Sequence, residues 1–102
     1  MHVAETILEQ MGGIRRLRLM TGAHSFVADS NMVMFGFKGS RAANKCRVTL
    51  LPNDTYKFEV FKITKRGLSC KTVAEHDEVY FDQLMDLFEA ATGLYLTLNA
   101  RV

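Results

Sequence analysis

The sequence predicts an α+β domain: an antiparallel β-meander of about five strands with an N-terminal and a C-terminal helix packed on one face. Three observations carry that expectation. Between residues 77 and 93, apolar side chains recur at Tyr80, Phe81, Leu84, Leu87, Phe88 and Ala91, the spacing of a single helical stripe, with Asp82, Asp86 and Glu89 opposite. Upstream, several short runs alternate apolar and polar residues with period two. The links between those runs are of hairpin length, which favours antiparallel pairing of consecutive strands.

In chain order, Val3–Met11 reads as a short helix with Ala4, Ile7, Leu8 and Met11 on one side, ended by Gly12-Gly13. Ile14–Thr21 reads as the first strand: Leu17 and Leu19 fall on one face, Arg16, Arg18 and Met20 on the other. Residues 22–30 read as a connection with turn chemistry at both ends, its Phe26 and Val27 tucked against the core. Met32–Phe37 is the second strand, and Lys38–Asn44 a basic loop. Lys45–Leu51 is the third strand, with Lys45, Arg47 and Thr49 outward. Pro52-Asn53-Asp54 signals a hairpin, since proline cannot continue a ladder. Tyr56–Ile63 is the fourth strand, its Tyr56, Phe58 and Val60 alternating with Lys57, Glu59 and Phe61. Leu68–Ala74 is the fifth. Asp77 is placed to cap the main helix and Gly93 to end it. Leu94–Leu98 either adds a short strand or lies along the sheet edge.

Within 102 residues there is room for one domain with one core, and 48% apolar with 24% charged residues is the balance of an ordinary soluble chain. No apolar run approaches the roughly 18–20 residues of a membrane span, and the first residues lack the layout of a signal peptide. The expected location is therefore cytoplasmic, with no membrane partner. Cys46 and Cys70 form neither a C-x-x-C pair nor a disulfide framework, and both read as small, reduced, buried or half-buried residues.

The short segments Met20-Thr21-Gly22-Ala23 with Phe26-Val27, Val73-Ala74-Glu75-His76, and Thr92-Gly93-Leu94-Tyr95 carry a resemblance. They are similar to those of small proteins encoded by phages, prophages and other mobile elements, over about residues 5–98. That family has no assigned activity. The resemblance therefore implies a genetic setting in a bacterial host and no catalytic residue.

Catalytic and metal chemistries find little support in the spacing. His2, His24 and His76 stand apart, and neither cysteine has a second ligand nearby. Ser25 beside His24, or Cys70 with His76, lacks a supporting nucleophile motif. Gly36-Phe37-Lys38-Gly39 has the form of the KH-domain loop, but that loop joins two helices and here a strand leads into it. No phosphate-binding loop or dinucleotide fingerprint is present. The expectation is a non-enzymatic protein without cofactor or metal.

Charge is the more informative signal. Residues 1–74 hold twelve Lys/Arg against five Asp/Glu, a balance of +7, and residues 75–102 hold one against six, or −5. With an acidic helix on one side, the open sheet face is expected to be basic. Read so, it gathers Arg16, Arg18, Lys45, Arg47, Lys57 and Lys71, interleaved with Met20, Met32, Met34 and Phe61. Cations along a phosphate backbone and flat or soft groups beneath bases are what single-strand binding requires, so the site residues for DNA or RNA are Arg16, Arg18, Lys45, Arg47, Lys57 and Phe61. The alternative is a protein partner or homodimer docked on Met20, Met32, Met34 and Phe61, with the cations a solvated rim.

Overall fold

Period-two alternation holds through the middle of the chain. In β2 (Met32–Gly36), β3 (Lys45–Leu50) and β4 (Tyr56–Thr64), the residues Val33, Phe35, Cys46, Val48, Phe58 and Val60 are all buried, and those between them face the other way. The computed structural model describes residues 2–38, 40, 42–64 and 69–94. With β1 at His24–Asp29 and β5 at Ser69–Val79, five strands form one antiparallel sheet in the order β1-β2-β3-β4-β5. Three helices complete the α+β fold: α1 (His2–Gln10), α2 (Ile14–Thr21) and α3 (Leu84–Thr92), the last entered through a 3-10 turn at Phe81–Gln83.

Ala4, Ile7 and Met11, Leu17 of α2, and Leu84 and Phe88 of α3 join the inward strand residues in one core. Four phenylalanines tie it together. Phe35 lies 5.3 Å from Phe26 and 6.3 Å from both Phe37 and Phe88, ring centre to ring centre, and Phe88 meets Phe37 edge-on at 5.1 Å. Among the described residues, no helix or strand packs on the other face of the sheet.

Three stretches differ from expectation. Ile14–Thr21 is a helix, not the first strand. Arg, Leu and Met favour a helix, and Leu17 with Thr21 supplies a buried i, i+4 pair as readily as Leu17 with Leu19 supplies a strand face. Gly22 settles the choice: at φ 70° it takes the left-handed cap, and its N–H donates to Arg18 O at 3.0 Å. Leu19 consequently stands 81% exposed, away from Leu17.

The expected connection over residues 22–30 contains β1 instead. Its register against β2 shifts between His24 and Val27, with Ser25 at φ 57°, and that bulge removes the period-two signal. Phe26 does tuck against Phe35, but Val27 turns to the opposite face and is 50% exposed.

The fifth strand runs on to Val79, which pairs with Tyr56, so Asp77 is a strand residue and not a cap. Two bulges interrupt its pairing with β4, and Glu78 sits at φ 54°. The helix start is closed instead by Tyr80 and Gln83: Tyr80 N–H donates to Gln83 Oε1 and Gln83 N–H to Tyr80 O, each at 2.9 Å. Tyr80 and Phe81 lie outside the buried stripe, each 60% exposed, whereas Leu84 and Phe88 occupy it as expected. Gly93 ends α3 at φ 76°. Leu68, Arg41 and residues 95–98 lie outside the described residues.

Phe88→Ala is expected to cost on the order of 3–5 kcal/mol, from lost transfer energy and a residual cavity beside Phe35 and Phe37. Phe81→Ala should change stability by only about 0.5 kcal/mol. Chemical denaturation of the two variants checks both, and equal losses would contradict the helix boundary.

Candidate functional site

Strand register fixes which outward side chains become neighbours. The hairpin between β3 and β4 is set by Asn53, whose Oδ1 accepts from Thr55 Oγ1 at 2.6 Å, and by Leu51 N–H donating to Thr55 O at 2.8 Å. That register pairs Lys45 with Phe61, Arg47 with Glu59 and Thr49 with Lys57. Extended over the neighbouring strands, it lays rows across the outward face. One row is His24, Gly36, Lys45, Phe61 and Thr72; the next is Val27, Met34, Arg47, Glu59 and Glu75; a third holds Asp29, Met32, Thr49 and Lys57.

Met32, Met34, Lys45, Arg47, Lys57 and Phe61 therefore share one face, as the alternation predicts. Arg16, Arg18 and Met20 do not. They belong to α2, on the helix side, because the segment that was to present them is no strand. Lys71 also leaves the face: it pairs with Lys62, one residue out of phase with the outward Phe61 and Ile63.

Two of the three cations that stay, Arg47 and Lys57, are held by carboxylates of the same face. Arg47 Nε donates to Glu59 Oε1 at 2.8 Å and Nη2 to Oε2 at 3.0 Å, a two-pronged pair, while the guanidinium lies 5.3 Å from the centre of the Phe61 ring. The Glu59 bond holds the Arg47 guanidinium charged above its ordinary range, against a smaller opposing effect of desolvation. Lys57 Nζ lies 3.1 Å from Glu75 Oε2, and its bond to that carboxylate likewise raises its pKa. Glu59 is the buried partner of its pair, with 9% of its side chain exposed against 39% for Arg47. Sequence reasoning treated Glu59 as one more outward polar residue; only the cross-strand register, once fixed by the hairpin, identifies it as the arginine's partner.

At the other end of the face, His24 lies against Gly36, where an added Cβ would come within 2.7 Å of His24 Cε1. Imidazole and Lys45 flank a shallow recess with Phe37, Asn44 and Ile63. Asn44 shapes its floor: its Nδ2 donates to Ile63 O at 2.7 Å and its Oδ1 accepts from Ile63 N–H at 2.8 Å, extending the β3–β4 ladder with a side chain. His24 Nδ1 is 2.9 Å from Ser25 Oγ, and among the described residues no hydrogen bond orients the second ring nitrogen. Such a pair lacks the third member that nucleophile activation requires. Nor do three His, Cys, Asp or Glu side chains gather as a metal site among the described residues. No described helix is long and apolar enough to cross a membrane.

Both cysteines are free. Cys46 is buried, and burial followed by the nearby Glu59 charge pushes its thiol well up; Cys70, expected half-buried, is exposed and pairs with Ile63 on the outward face. No family model, no curated protein and no solved structure matches the chain.

The ion pairs are expected to be asymmetric. Arg47→Ala should cost about 1–3 kcal/mol because it leaves the Glu59 carboxylate buried without a donor, whereas Lys57→Ala, at an exposed pair, should leave the denaturation midpoint nearly unchanged. Denaturation midpoints of the two variants decide it. A thiol reagent should modify Cys70 in the native protein and reach Cys46 only on unfolding, giving one labelled site per folded chain by peptide mass mapping.

Proposed function

We propose that the protein is a non-enzymatic protein-binding module whose outward sheet face docks an identical face of a second copy. One observation carries this reading. The central cations of the face are bound by its own carboxylates, while Val27 is exposed and Met32, Met34 and Phe61 are half-buried beside them with no element covering them among the described residues. A phosphate chain laid there would compete with Glu59 for Arg47 and with Glu75 for Lys57. A protein surface needs neither cation released. Nucleic-acid binding on this face, as the sequence suggests it, is therefore the weaker of the two readings.

The layout of charge favours a second copy as the partner. His24 and Lys45 mark one end of the face and Asp29 the other, where Asp77 and Glu78 also lie beside Lys57. A two-fold axis along the rows turns the cationic end of one copy onto the acidic end of its mate. Five strands about 4.8 Å apart and some 20 Å long present on the order of 500 Å² in projection. Two such faces reach the roughly 1,000 Å² at which a specific interface begins. On this reading the resemblance to proteins of phages and other mobile elements supports an accessory role in a bacterial host.

Sedimentation velocity over a concentration series tests it. The wild type should sediment as a dimer at micromolar concentration, with little dependence on salt, and Met34→Lys should yield a monomer with an unchanged melting curve. A wild type that stays monomeric throughout, or a dimer indifferent to Met34→Lys, overturns the proposal.

A further inference from the structure

α2 carries charge that no carboxylate pairs among the described residues. Its eight residues, Ile-Arg-Arg-Leu-Arg-Leu-Met-Thr, include three arginines and no acid. Arg15, Arg18 and Leu19 stand at i, i+3 and i+4, so they share one face of the helix, and all three are exposed. Lys38 extends the surface past the end of α2. Its N–H donates to Thr21 O at 2.8 Å, and its exposed side chain runs beside Gly22. Among the described residues the only salt bridges are those of Arg47 and Lys57, so Arg15, Arg16, Arg18 and Lys38 have no carboxylate within 4.0 Å. Arg47 and Lys57 at the centre of the sheet face are thus neutralised in place, whereas the cations of α2 form no salt bridge among the described residues.

Two further features distinguish this surface from a merely solvated helix. Leu19, 81% exposed and the most exposed large apolar side chain among the described residues, is set between the α2 cations and contributes nothing to the core. Arg18 lies over Phe26, 5.6 Å from the ring centre, and Phe26 is itself stacked on Phe35, so the guanidinium is backed by the core rather than swinging in solvent. Glu5 and Glu9 of α1 bound the surface on one side, lining a groove with Gly12, Gly13, Ile14 and Arg15. A polyanion is therefore steered away from α1 and along the line from Arg15 through Arg18 to Lys38.

We propose that α2 and Lys38 form a nucleic-acid-binding surface, with Arg15, Arg18 and Lys38 on backbone phosphates and Leu19 against the sugars or bases between them. Arg15 and Arg18 are separated by about 5 Å along the helix, close to one turn and comparable with the step between successive phosphates. The guanidinium fork matches phosphate oxygens in pairs, and a guanidinium held on an aromatic ring is itself a platform on which a base can stack. This surface lies on the helix side of the sheet and does not depend on how the outward face is used. Single and double strands offer the same phosphate chemistry, and the experiment separates them.

Fluorescence anisotropy with labelled single-stranded and duplex DNA oligonucleotides, at low and moderate salt, provides the test. The wild type should bind at least one of them at micromolar concentration in low salt. For three phosphate contacts, log K should fall with log salt at a slope of about −2 on a single strand and nearer −3 on a duplex. Arg15→Glu with Arg18→Glu should weaken binding at least tenfold, and Leu19→Ala severalfold, with unchanged circular dichroism and melting. Lys71→Glu, a charge reversal on exposed β5, should have little effect. The absence of binding to either oligonucleotide at low salt would overturn the proposal. So would equal losses in Lys71→Glu and the α2 variants, or a polyglutamate competitor displacing the oligonucleotide at equal charge concentration. A dimer that fails to form while oligonucleotide binding persists would refute the reading of the outward face and leave this one standing.

Discussion

The contact of Phe35 with Phe26, Phe37 and Phe88 is the constraint on which the architecture rests. Phe35 belongs to β2, Phe26 to the neighbouring strand and Phe88 to the last helix, so one ring cluster joins the sheet to the C-terminal element across more than half the sequence. Large rings offer much apolar area and settle into tilted or edge-on arrangements, which fix the approach of α3 as well as its depth. Because α1 and α2 send Ile7, Met11 and Leu17 into the same core, all three helices crowd one side of the sheet. The other side is left to side chains alone.

How those side chains divide the charge is the main consequence. A balance of +7 over residues 1–74 reads as one basic surface in the sequence, but among the described residues folding separates the cations of the outward face from those of α2. On the outward face the antiparallel register puts Arg47 opposite Glu59, and a carboxylate so nearly buried holds its arginine closely. On α2 the arginines form no salt bridge among the described residues, and Arg15 and Arg18 are exposed. Neither group is distinguishable from the other by composition; only pairing separates them.

The sequence was most legible where a single period ran uninterrupted. β2, β3 and β4 alternate cleanly, so their inward residues, and the outward positions of Met32, Met34, Lys45, Arg47, Lys57 and Phe61, were all readable. The buried Leu84 and Phe88 were readable in the same way from the helical period. Legibility failed where two templates fit the same letters or where one was broken. Leu17 and Leu19 satisfy a strand, Leu17 and Thr21 a helix, and eight residues are too few for periodicity to arbitrate. In β1 the bulge at Ser25 puts His24 and Val27, three residues apart, on the same face, so no period of two runs through the strand. Asp77 reads as a helix cap because β5 passes into the 3-10 turn at Phe81 with only Tyr80 between them, so strand and helix letters run together. The ion pairs were out of reach for a different reason: they are properties of register between strands, and no single stretch of sequence contains them.

β5 bears on how the protein behaves at high concentration. It is eleven residues long and, among the described residues, hydrogen-bonds as a strand only to β4. A long, flat outer strand of that kind is a template for lateral growth of sheets from molecule to molecule. Here the two bulges and the left-handed Glu78 bend the ladder, and exposed Lys71, Glu75, His76, Asp77 and Glu78 place charge along the same margin. An approaching strand would find neither a straight register nor an uncharged border, so the apolar side chains on the open side of the sheet need not draw the molecules into polymers along the rim.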